Sequence, residues 1–241
     1  MTMNMNRISL LAMLTLLGFA AGASAQLLIA PDPNGDINQD TSSLVMVSVG
    51  TDHGPSPGSA TVDGSGLNAA GEHENNNWLS GIHWMGDRDD RENGPHSGTY
   101  SDPTGPNWIR FDFDQVYPLE NAKVWNYNGA PGGDDPLRGL NNVVIEYSSD
   151  GTNWNLLDGG GTSGAHTFPV GSGLAGYTGF DLPLGVSAQH VIITMLNATA
   201  GSGNHGGGDA GLAEIRFFYP EPTSLALLVA GGLMTARRRR D

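Results

Sequence analysis

From Trp108 to Phe113 the sequence runs WIRFDF, and the apolar side chains Ile109, Phe111 and Phe113 alternate with Arg110 and Asp112. Successive side chains of a strand point to opposite faces, so this period of two calls for a β-strand with one face buried. The pattern returns where Val143, Ile145 and Tyr147 alternate with Val144, Glu146 and Ser148. Asp150-Gly151 then gives a hairpin signal leading into a strand over 154–157. Further strands are expected over 44–49 (LVMVSV), 122–127 (AKVWNY) and 212–219. Val191 to Leu196 is apolar without alternation, which fits a central strand covered on both faces. Outside the termini no window sustains the 3.6-residue apolar period of a helix, and 36 glycines and 14 prolines supply turns. Short strands so punctuated predict an all-β antiparallel sandwich.

The two ends have a different character. Arg7 precedes an apolar stretch that closes on Ala23-Ser24-Ala25, the small-residue pattern of a secretory signal peptide cleaved after Ala25. The far end carries Pro220-Glu221-Pro222, then a 14-residue apolar run from Thr223 to Ala236, then Arg237 to Arg240. A stable membrane-spanning helix needs about 20 residues, and arginines placed there hold their end on the cytoplasmic side. The order of these parts resembles the PEP-CTERM sorting tail of Gram-negative bacteria; an ordinary short anchor with a basic stop is the other reading. The resemblance implies transient inner-membrane contact through the tail and an exosortase that cuts near Pro220, Glu221 and Pro222. The body would then pass to the envelope, cell surface or exopolysaccharide matrix. Signal peptidase is the expected partner at the opposite end. The chain is thus expected to divide into a signal peptide (1–25), a polar lead (26–43), a sandwich (44–218) and a sorting signal with a short hydrophobic helix (219–241).

Charge narrows the partners. The chain has 25 acidic and 11 basic residues, a formal net charge of −14, and five of the basic residues lie in the two terminal segments. Such a body repels phosphate backbones, which excludes nucleic acid as a partner. It is compatible with cations and with neutral or basic polymers, or the acidity serves solubility alone. There is no cysteine, so an exported chain of this kind depends on its packed core, helped by a metal if one binds.

The order WIRFDF, VWNYN, VVIEYSSDGTNWNLL and a closing GLAEIRFF resembles the discoidin, or coagulation-factor type C, family. Tyr147 to Trp154 is the most recognisable piece, and Asp63 to Leu67 (DGSGL) fits the family's first loop. The resemblance implies a jelly-roll β-sandwich of the galactose-binding-like superfamily; an insertion over 84–106 has no counterpart in it. It also implies one structural calcium ion between the first long loop and the last strand. The matching positions are Asp63 and Glu214, with the carbonyls of Gly66 and Asn68 as further ligands. Calcium takes six to eight oxygens, and a glycine-rich loop can turn carbonyls toward it. Without a metal, Asp63 would serve a turn.

Family members bind ligands at the loops of one rim. A sugar site needs an apolar face for the pyranose and planar donors and acceptors for its hydroxyls. Asn126, Tyr127 and Asn128 follow a strand end, Arg138 lies ten residues on, His205 stands in the loop before the last strand, and Trp84 with His83 could join that rim. Strand alternation requires Trp125 or Tyr127 to be partly core, and the asparagines could instead serve turn backbone. Carboxylates at Asp87 to Glu92 sit on one loop with Arg88 and Arg91, without the opposed geometry of a glycosidase pair. No nucleophile elbow, zinc-protease helix or P-loop motif occurs. The sequence therefore predicts a non-catalytic module that attaches to an extracellular polysaccharide or glycan. A structural matrix or surface-layer protein is the alternative, and a glycoside hydrolase a more distant one.

Overall fold

The computed structural model describes residues 25–27, 45–52, 56–74, 81–86, 107–130, 136–157, 165–196 and 203–220. In chain order the strands are β1 (Ala25–Leu27), β2 (Val45–Val49), β3 (Trp84–Gly86), β4 (Trp108–Asn126), β5 (Asn142–Ser148), β6 (Asn155–Leu156), β7 (Ala165–Thr167), β8 (Phe180–Met195) and β9 (Ala210–Pro220). Every pairing among them is antiparallel. Among the described residues there is no α-helix, only two short 3₁₀ turns, at Gly58–Thr61 and Pro136–Arg138. No helix among them is long and apolar enough to cross a membrane.

The segments 108–113 and 122–127, expected as two strands, belong largely to one 19-residue strand, β4. Its ladder to β8 slips between Asp112 and Tyr117 and again between Leu119 and Asn121. Such irregularities bend a strand and increase its twist, so β4 serves both layers. Its first half pairs with β2 and the end of β8. Its second half pairs with β9 and the beginning of β8. The end of β8 also carries β5. The sheet thereby folds over itself into the antiparallel sandwich expected from the alternation.

The core lies between the halves. Ile109, Phe111 and Phe113 point into it, each at most 3% exposed. Phe217 of β9 meets the rings of Phe111 and Phe113 across the layers at 5.2 and 5.1 Å. Val191, Ile192, Ile193 and Met195 are all buried, so β8 is covered on both faces as its unbroken apolar run implies. The β5–β6 hairpin is wider than Asp150-Gly151 suggests, because pairing ends at Tyr147 with Asn155. The Asp150 carboxylate holds that loop by accepting N–H bonds from Thr152 and Asn153 at 2.8 and 2.7 Å.

The outer edge of β9 is covered at its start by β3 and at its end by β1, where Ala25 faces Pro220. Of the expected polar lead, 26–27 belong to β1. The rest of it, the segment before Ala25, positions 87–106 of the insertion and Glu221 to Asp241 lie outside the described residues.

Candidate functional site

The loop Asp63-Gly64-Ser65-Gly66-Leu67 turns through positive φ at Gly64 (76°) and Gly66 (80°), where a side chain would be strained. That course carries Asp63 toward Glu214 on β9. Asp63 Oδ1 accepts the Ser65 N–H at 2.7 Å, while its Oδ2 is buried and has no hydrogen-bond partner. Glu214 is fully buried. Its Oε1 stands 3.4 Å from Arg216 Nε, and its Oε2 is a second orphan. Burial pushes the Glu214 carboxyl well above its usual range, and neighbouring Asp63 adds to the rise; burial also raises Asp63.

Two neighbouring carboxylates, Glu214 buried and Asp63 part-buried, each with a buried unpaired oxygen, are costly as bare anions and become favourable around a hard cation. Asp63 and Glu214 therefore fit the calcium expectation. The other two expected ligands do not gather as cleanly. Asn68 is exposed, and its carbonyl already accepts the Gly71 N–H at 2.9 Å. The Gly66 carbonyl already accepts the Glu74 N–H at 2.9 Å, leaving one lone pair. Among the described residues no three His, Asp or Glu side chains gather for a metal, so an ion at this place would complete its shell with carbonyls and water.

At one end of the sandwich three loops meet. Asn126, at the end of β4, donates to the carbonyls of Leu140 (2.7 Å) and Pro169 (2.8 Å) and accepts the N–H groups of Tyr127 and Leu140, both at 2.9 Å. Asn128 donates to the carbonyls of Glu74 and Leu174 and accepts from Gly173 N–H and the Ser172 hydroxyl. Asn204 holds the last loop through the carbonyls of Gly207 and Asp209. The Asn126 and Asn128 carboxamides tie 126–128 to 139–140 and 168–174, and backbone bonds from Asn141 to Gly203, His205 to Gly139 and Gly207 to Leu137 join 203–209 to the same frame.

The burial overturns four of the six expected glycan contacts. Trp84, Asn126, Tyr127 and Asn128 are each 0% exposed. Trp84 donates its indole N–H to Thr51, and Tyr127 packs edge-on against buried His83 at 4.9 Å. Trp125 to Asn128 are all buried, so strand parity does not separate the inward residues at this strand end. Arg138 and His205 do reach the rim. Arg138 is 21% exposed and lies 3.7 Å from Asp209, while His205 Nε2 donates to the Phe168 carbonyl at 2.9 Å. Exposed Leu137, Val170 and Leu174 stand on two of these loops.

The sequence reading missed a cluster on the outer face. Cross-strand register aligns Asp112, His190 and Ser148. His190 Nδ1 meets Asp112 Oδ1 at 2.5 Å, and Arg110 bonds Asp112 at 2.8 Å while stacking over Trp154. An Asp–His–Ser row suggests a hydrolase, but the Ser148 hydroxyl donates to Asp150 and accepts from the Asp150 and Gly151 N–H groups. A nucleophile needs its proton directed at the histidine; this serine is a turn lock. The carboxylates Asp87 to Glu92 lie outside the described residues.

No protein-family model matches the chain, and no curated protein does. Solved structures do. A carbohydrate-binding module, CBM32-3, of a family 31 glycoside hydrolase from Clostridium perfringens is 16% identical over 74% of this chain and 92% of that one, with a TM-score of 0.44. A fucose binding module from Streptococcus pneumoniae is 18% identical over 72% and 90%, with a TM-score of 0.44. The lectin binding domain of lectinolysin, complexed with Lewis b, is 12% identical over 72% and 91%, with a TM-score of 0.45.

Proposed function

We propose that the sandwich is an exported, non-catalytic module that holds an extracellular polysaccharide or glycan at the rim framed by Asn126, Asn128 and Asn204. The observation that carries this reading is the hydrogen-bonded frame of these loops, which leaves the Arg138 guanidinium and the His205 imidazole part-exposed at its edge, with Leu137, Val170 and Leu174 exposed on two of the loops. Planar donors next to apolar surface match a sugar's hydroxyls and its C–H face. A calcium ion held by Asp63 and Glu214 would neutralise their buried charge and tie the first loop to β9; it would supply structure, not chemistry. Export through a signal peptide cut after Ala25 and sorting by an exosortase at Pro220–Pro222 complete the reading.

The test is retention of the folded, exported chain on a panel of polysaccharides, with and without calcium. Specific retention lost in Arg138→Ala and His205→Ala supports binding at this rim. Retention by no polysaccharide of a broad panel overturns it. Burial of Trp84, Trp125 and Tyr127 favours a second reading, a structural matrix component without a discrete ligand, and that outcome would establish it. Mass spectrometry of the exported protein tests the sorting; an intact tail ending at Asp241 would sink it.

A further inference from the structure

From Val124 to Ile215 the sequence holds a single lysine or arginine, Arg138, so the rim loops carry one permanent cation. That cation is already engaged. The 203–209 loop lies against it: a Cβ on Gly207 would come within 2.6 Å of Arg138 Cγ, and the Gly207 N–H donates to the Leu137 carbonyl at 3.0 Å. Arg138 Nη1 reaches Met85 Sδ at 3.2 Å and stands 3.7 Å from Asp209 Oδ2. Asp209 is fixed in turn, since its backbone carbonyl accepts from the Asn204 carboxamide at 2.6 Å. The two side chains are 21% and 23% exposed, so guanidinium and carboxylate reach solvent as a pair. Burial holds His205, on the same loop as Asp209, below the usual imidazole range, which leaves it uncharged at neutral pH. Exposed Glu74 borders the frame through its carbonyl, which accepts from Asn128.

We propose that this rim selects uncharged sugars over uronates, and that Asp209 sets the preference. This rests on the rim reading above and names the class of glycan the rim takes. A sugar hydroxyl both donates and accepts, and the ion pair offers a fork of donors beside acceptor oxygens. Two neighbouring hydroxyls can therefore bridge Arg138 and Asp209 without breaking the pair. A sugar carboxylate only accepts, and the partner that suits it is a guanidinium met in two parallel bonds. A uronate that takes Arg138 competes with Asp209 for it and brings a second anion against the Asp209 carboxylate, which is part-buried and then short of its partner. The chain's formal charge of −14 also repels polyanions, but that effect is spread over the surface and is screened beyond a Debye length of about 8 Å at physiological salt. The repulsion from Asp209 acts at contact distance and survives such screening.

Paired polysaccharides test this. Each neutral polysaccharide of a panel is offered to the exported chain beside its own C6-oxidised form, which carries uronates on the same backbone. At salt that screens the overall charge, the wild-type chain should hold the neutral form of any pair it binds at least about tenfold better. Asp209→Asn keeps the backbone carbonyl and the side-chain shape but removes the anion, and it should narrow that preference severalfold by gaining the oxidised form. Glu120→Gln makes the same change of charge at an exposed position of β4 six residues before Asn126, about 20 Å along the strand. It should leave the preference as in the wild type. Oxidised forms held as well as neutral ones by the wild-type chain would overturn the selection, and that comparison needs no variant. A preference in Asp209→Asn equal to that in Glu120→Gln would overturn the role of Asp209. Retention of neither form of any pair would refute the rim reading itself, and the selection with it.

Discussion

Replacing Asn126 by alanine should destabilise the sandwich rather than merely weaken a ligand contact. The carboxamide makes four hydrogen bonds to backbone, at 2.7 to 2.9 Å, and is 0% exposed. Alanine removes both donors and both acceptor contacts and leaves four backbone groups unpaired in or near the core. At about 1 kcal/mol for each lost bond, the cost is about 4 kcal/mol, with water entering the gap lowering it and deeper burial of the orphans raising it. For a domain of this size that corresponds to a fall of about 10 °C in Tm. Asn126→Asp should be no better, because a carboxylate accepts from Tyr127 and Leu140 but cannot donate to the carbonyls of Leu140 and Pro169. Urea unfolding followed by tryptophan fluorescence, with a parallel thermal scan, measures both variants. A loss below about 1 kcal/mol in Asn126→Ala, within the range of an exposed polar residue, would refute the clamp.

Thorough chelation should lower Tm by several degrees, since an ion at a hundredfold its Kd contributes about 2.7 kcal/mol; Asp63→Asn and Glu214→Gln should each abolish that shift in calorimetry. His83, buried against Ser56 and Tyr127, has its pKa lowered from 6.5 to about 3 by burial first and then by His73. The native state then binds fewer protons than the unfolded state between those values, so stability should be complete above about pH 6.5 and fall as pH drops toward 3. Equilibrium urea titrations should show this acid slope flattened in His83→Gln. Gly179→Ala should cost at least about 2 kcal/mol in chemical denaturation, because φ is +66° and a Cβ would come within 2.4 Å of the Val124 carbonyl oxygen.

Much of the fold was legible because strand alternation is a local property. Ile109, Phe111 and Phe113 fall on one face and Arg110 and Asp112 on the other whatever the rest of the chain does. The continuous apolar run at 191–196 likewise announced a strand covered twice. Parity did not carry the direction of Asn126, because Val124 to Asn128 are all buried, whichever face alternation assigns them. The glycan candidates were placed at a rim, because a polar pair at a strand end looks the same whether it clamps backbone or meets solvent.

What the sequence by itself determined was the set of faces: an all-β chain and its apolar sides. Only the tertiary structure decided what covers those faces. It made one bent strand of two expected ones, turned Trp84, Asn126, Tyr127 and Asn128 inward and left Arg138 and His205 at the rim. It also set Ala25 against Pro220. The physical reason is range: period two is written within a few residues, whereas burial and hydrogen-bond saturation depend on partners far away in the chain.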